Sequence, residues 1–201
     1  MNTNEMKNAA PSFGGLIAEF SREQKLLESR SLFISEGVNS DTARRVVTDL
    51  LILDSVGQTP IKIFLNSPGG EVNSGFAIFD TIRFIKSPVY IISAGLCASI
   101  ATVINVAVKK ERRFSMPNSR FLIHQPLIMG QIYGQASDLE IQAAQILKTR
   151  EKINQLLAEE CGQPLERVEK DTLRDYWMTP EEAAKYGLIG KVVKSTQDLG
   201  I

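Results

Sequence analysis

Ser99, His124 and the pair Gly69-Gly70 are the residues of this 201-residue chain whose types and settings suit acyl transfer. Ser99 follows an apolar, β-branched run and Gly95, and it opens a second apolar run with helical character. A serine at such a junction can attack a carbonyl while unpaired amides beside it receive the developing oxyanion. The same placement suits a purely structural turn or N-cap serine. Its sequence, Gly95-Leu96-Cys97-Ala98-Ser99, is not the G-x-S-x-G elbow of α/β-hydrolases. His124 is the one histidine and stands where a predicted strand ends, before Gln125-Pro126. Catalytic groups of α/β sheets gather at that edge, and imidazole is the side chain suited to moving protons near neutrality. A half-buried histidine satisfied by backbone is the alternative. Gly69-Gly70, after Ser67-Pro68, reads either as a strand-to-helix turn or as backbone open to a ligand's oxygen. It is no phosphate-binding P-loop, because no Gly-Lys-Ser/Thr follows.

These residues need elements to hold them. The Asn-rich segment 1–15 reads as a flexible leader, with a helix from Leu16 and a strand at Leu32-Phe33-Ile34. Asn39-Ser40-Asp41 offers an N-cap for a helix carrying Val46, Val47, Leu50, Leu51 and Leu53 at helical spacing, closed by Gly57 and Pro60. A strand follows at 61–65, then Asn66-Ser67-Pro68-Gly69-Gly70, then a helix through Phe76, Ile78, Phe79, Ile82 and Ile85. The pattern repeats as a strand at 89–92, a turn at Ala94-Gly95 and a buried helix over 99–108, with a third strand at 120–123. Strands alternating with helices predict an α/β domain with a largely parallel sheet. Ser137-Asp138-Leu139-Glu140 has the form of a capping box for a helix reaching about Glu160, on the order of 35 Å long. A short helix capped by Thr179, with Pro180 first and Gly187 last, and a strand at Val192-Val193 complete a domain over 16–195, leaving a tail at 196–201.

Composition excludes several classes. With 23 basic and 23 acidic residues the chain has no electrostatic footprint for nucleic acid or an anionic membrane. Two cysteines without ligand spacing and a single histidine argue against a zinc cage, and no cofactor is implied. The uncharged run from Tyr90 to Val108 has the length of a membrane span but holds Ser93, Gly95, Ser99, Thr102 and Asn105, so it reads as a buried strand and helix. The polar start, without an apolar signal core, leads us to expect a cytoplasmic protein.

Four ordered motifs converge on one family. Asn66-Ser67-Pro68-Gly69-Gly70, Gly95-Leu96-Cys97-Ala98-Ser99, Met116-Pro117-Asn118-Ser119 with Ile123-His124-Gln125-Pro126, and Asp171-Thr172-Leu173-Arg174-Asp175 resemble the ClpP family, the proteolytic subunits of the Clp protease, from about Glu28 to Val193. The resemblance implies a ClpP/crotonase-like α/β spiral of strand-turn-helix units, with the long helix protruding as a handle. It implies a serine endopeptidase cutting unfolded polypeptides, with Ser99 as nucleophile, His124 as base and then acid, and Asp175 rather than Asp171 as the carboxylate orienting the histidine. Gly70 and Ile100 would supply the oxyanion amides. Seven-membered rings stacked in pairs as a tetradecamer, with or without a sister subunit, would enclose a chamber. Phe64 and Phe84 would line a pocket between subunits for loops of a Clp-type hexameric ATPase unfoldase.

The chain departs from the family pattern before Glu28, at Ile128-Met129 in place of a glycine pair, at Ile100-Ala101 in place of methionine and glycine, and at Leu173 in place of an acidic residue. Two other readings share parts of the pattern. One is a weakly active or structural subunit of a mixed ring. The other is a crotonase-type acyl-CoA enzyme, which shares the fold and a glycine oxyanion hole but needs no Ser-His pair.

Overall fold

A computed structural model of the chain describes residues 22, 24–127 and 135–200. The expected leader at 1–15 and the Ile128-Met129 pair lie outside the described residues. Of the helix expected from Leu16, the described end is helical over 24–28. The apolar runs form a sheet whose main path is β1 (Ser31–Ile34), β2 (Ile61–Ser67), β3 (Val89–Ala98), β4 (Arg113–Ser115) and β7 (Lys191–Val192), each neighbour pair parallel. Ile61, Ile63, Leu65 and Ile91 are fully buried, as strands covered by helices require. β5 (Arg120–Ile123) pairs with the far end of β3, and β6 (Tyr176–Met178) runs antiparallel to β5.

The turn expected at Ala94-Gly95 is not there. β3 continues through it, with Gly95 at φ 108°, and changes partner from β4 over Ile91–Ser93 to β5 over Leu96–Ala98. The bend is local because a side chain at Gly95 would stand 2.7 Å from Asn66 Oδ1, the oxygen that accepts the Leu96 amide. A single bent strand therefore serves two sub-sheets.

Helix α1 (Ser40–Val56) is capped within the expected stretch, where the structure selects Asn39, its side chain accepting the Thr42 amide, and it buries Ala43, Val46, Leu50 and Leu53. Helix α2 (Val72–Phe84) packs Ile78, Phe79 and Ile82 inward and carries Gly75 as its fourth residue, where glycine within a helix costs about 0.5–1 kcal/mol relative to alanine. Helix α3 (Ile100–Asn105) is wholly buried and shorter than the 99–108 expected. Among the described residues no helix is long and apolar enough to cross a membrane.

Helix α4 (Ala136–Cys161), about 39 Å long by its 26 residues, leaves its first half exposed and packs only its second. The Ser137–Glu140 capping box does not form: the helix starts at Ala136 with Gln135 as N-cap, so Ser137 already lies inside the first turn. The base of α4 is fixed by Arg113, whose buried guanidinium donates to Val108 O, Val106 O, Gly187 O, Glu160 O and the Glu160 carboxylate. Burial lowers the pKa of that guanidinium from its ordinary value, and the charge of Glu160 beside it works the other way. Helices α5 (Leu165–Thr172) and α6 (Pro180–Tyr186) follow, the latter with the expected N-cap Thr179, which forms a capping box with Glu182, and Gly187 at φ 103°.

Candidate active site

The antiparallel pairing of β5 with β6 decides which carboxylate meets the histidine. Ile123 is opposite Tyr176, so the next residues outward, His124 and Asp175, face one another although 51 positions separate them in sequence. Asp175 Oδ1 lies 3.0 Å from His124 Nδ1, and Ser99 Oγ lies 2.9 Å from His124 Nε2. With the ring proton on Nδ1, His124 donates to Asp175 and accepts from the Ser99 hydroxyl. Asp171, the competing carboxylate, faces Arg167 at 3.5 Å instead.

Ser99 has φ 57° and ψ −129°, a region costing on the order of 1–3 kcal/mol for a residue with a side chain. Its amide donates to Leu122 O at 2.9 Å, tying it to β5. Gly69, at φ 89°, closes over it, since a Cβ there would stand 2.6 Å from Ser99 Cβ, while Gly70, at φ 151°, packs on Val38, with whose oxygen a Cβ would collide. Only glycine lets the Ser67–Gly70 backbone come this near. The Gly70 and Ile100 amides donate no hydrogen bond within the described residues.

A small pocket of about 20 Å³ opens beside Ser99 and His124, walled by Val72, Ile100, Val103, Ile123, Ile153 and Leu157. The last two come from the base of α4, a contribution the sequence reading missed. It missed β6 as well, and with it the Gln125 amide and side chain donating to Thr172 O and Leu173 O at 2.7 and 3.0 Å, which hold the Asp175 segment against β5. A strand of three residues carries too little periodicity to signal itself. Phe64 stacks on Phe33 and lines a separate pocket of about 460 Å³ with Ile92, Met116, Val193 and Leu199. Phe84, at the end of α2, is 82% exposed and is not part of that pocket within one subunit.

A spiral sheet carrying a serine–histidine–aspartate row is the framework of a serine peptidase, and the comparisons give the family. The Clp protease family model matches residues 18–196. The chain is 48% identical to ATP-dependent Clp protease proteolytic subunit 2 of Treponema denticola over 88% of each chain. It is 46% identical to proteolytic subunit 3 of Rhizobium etli, over 88% of this chain and 90% of that one. A ClpP1 variant from Listeria monocytogenes superposes with a TM-score of 0.81 at 40% identity, covering 89% of this chain and 99% of its own. The chain belongs to the Clp protease family, a family of serine peptidases. That membership sets the acyl-CoA reading aside.

Proposed function

We propose that this chain is the proteolytic subunit of an ATP-dependent, chambered Clp-type protease of the cytoplasm, and that Ser99, His124 and Asp175 carry the hydrolysis of unfolded polypeptides. The observation that supports it is the continuous row from Asp175 Oδ1 through His124 to Ser99 Oγ, at 3.0 and 2.9 Å. His124 Nε2 takes the Ser99 proton as Oγ attacks the scissile carbonyl, and the oxyanion receives the Gly70 and Ile100 amides. His124 then gives the proton to the leaving amine, and water repeats the sequence on the acyl-serine. A fluorophosphonate probe tests this reading: covalent label at Ser99, lost on prior denaturation, is the expected outcome, and labelling elsewhere or none sinks it.

Assembly belongs to the same proposal. Asp175 is 61% exposed in one subunit, where solvent screens its attraction for the imidazole. The unpacked half of α4 carries exposed Leu139, Ile141 and Leu147, and Leu173, 53% exposed, stands next to the catalytic segment. Stacked seven-membered rings joined through α4 would cover these groups. Leu173 offers no charge to Arg174 of a neighbouring copy, so we include in the proposal that a sister subunit or a bound ATPase raises the activity of this one.

A further inference from the structure

A residue held at φ 57° and ψ −129° relaxes unless its surroundings forbid it. The Ser99 amide is tied to Leu122, and the chain then enters Ile100. The backbone of Ile100 faces Gly69, where an added Cβ would stand 3.1 Å from Ile100 N. Its side chain lies over Gly75 of α2. A Cβ at Gly75 would overlap Ile100 Cγ1 and reach Cδ1 at 3.1 Å and Cβ at 3.3 Å. Gly75 itself needs no backbone freedom, for its amide donates to Glu71 O at 3.0 Å inside a regular helix and its φ is not positive. Room for Ile100 accounts for a glycine at a position where helix propensity disfavours one.

We infer that Gly75 is a positioning residue for hydrolysis: its bare helix surface seats the Ile100 side chain, and that seat fixes the Ser99–Ile100 peptide that holds the serine in its strained conformation. The inference rests on the reading of Ser99 as nucleophile. Gly75 touches no reacting atom and acts through Ile100. Because isoleucine is branched at Cβ and stiff about χ1, it cannot swing its Cγ1 aside. A methyl group at Gly75 therefore moves the Ile100 backbone, and with it Ser99.

The test uses the full chain as Gly75→Ala, Ile100→Ala and the double variant, with turnover of a short fluorogenic peptide measured per site titrated by fluorophosphonate. Gly75→Ala is expected to lower kcat per titrated site at least about tenfold, with KM changing less, as a misplaced catalytic group does. The double variant, which lacks Cγ1 and Cδ1, is expected to return to within about threefold of Ile100→Ala, the signature of two coupled positions. Parent-level kcat per site in Gly75→Ala, or a double variant that neither folds nor turns over better than Gly75→Ala, overturns the inference. Ser99→Ala runs alongside: hydrolysis surviving in it would remove the nucleophile reading, whereas its loss together with an unaffected Gly75→Ala removes this inference alone.

Discussion

At Ser99 the hydroxyl and the backbone make separate demands on the fold. The hydroxyl needs His124 Nε2, which lies 2.9 Å away. The backbone needs glycines at 69 and 75, because one presses on Ser99 Cβ and the other on the next side chain. Replacing Ser99 with alanine removes a single oxygen and leaves those contacts in place. Hydrolysis of short peptides by Ser99→Ala is therefore expected to fall by several orders of magnitude with the thermal unfolding curve unchanged; cleavage at the parent rate would exclude Ser99 as nucleophile. The carboxylate is the most solvent-accessible of the three groups, and its geometry depends on the Gln125 bonds to Thr172 and Leu173 rather than on burial.

Among the elements, α4 divides into a free half and a half held by Arg113, Ile153 and Leu157. That division lets one helix wall the small pocket beside Ser99 with its base while its other end stays exposed. The end of α1 is fastened differently. Asp54 accepts from Ser87 Oγ and Ser87 N at 2.8 Å each and from Lys86 N at 3.1 Å. These bonds, that from the Ser87 hydroxyl first, hold its carboxyl below the usual 3.8. A depressed carboxylate stabilises the fold above its unfolded pKa, and that contribution disappears as pH falls through the folded value. Asp54→Asn is thus expected to lower the urea midpoint at pH 7, with the gap to the parent closing below about pH 3.8. A gap of constant size across that range would show that Asp54 acts through something other than its charge.

For the molecule as a whole, partners and sequence legibility meet in the same surfaces. We propose that Phe64 and the 82% exposed Phe84 line a pocket between neighbouring subunits, so Phe64→Ser and Phe84→Ser are expected to depress ATP-dependent protein degradation more than peptide cleavage. Equal loss of both activities would indicate a folding defect. Peptide turnover and particle mass, measured alone and after mixing with a sister subunit or ATPase from the same cell, are expected to rise on mixing. A fourteen-subunit particle fully active by itself would dismiss the need for help. The sequence alone determined the alternation of strands and helices, a cap within Asn39-Ser40-Asp41 and one at Thr179, and the candidate serine, histidine and glycines, because apolar periodicity, capping chemistry and glycine turns are local. The Asp175 assignment came from the family motif, and its contact with His124 came only from the β5–β6 register, which no local spacing encodes. The unbroken β3, the pocket walls from α4 and the seat of Ile100 on Gly75 were likewise decided by tertiary structure, since each depends on the distance between segments far apart in the chain.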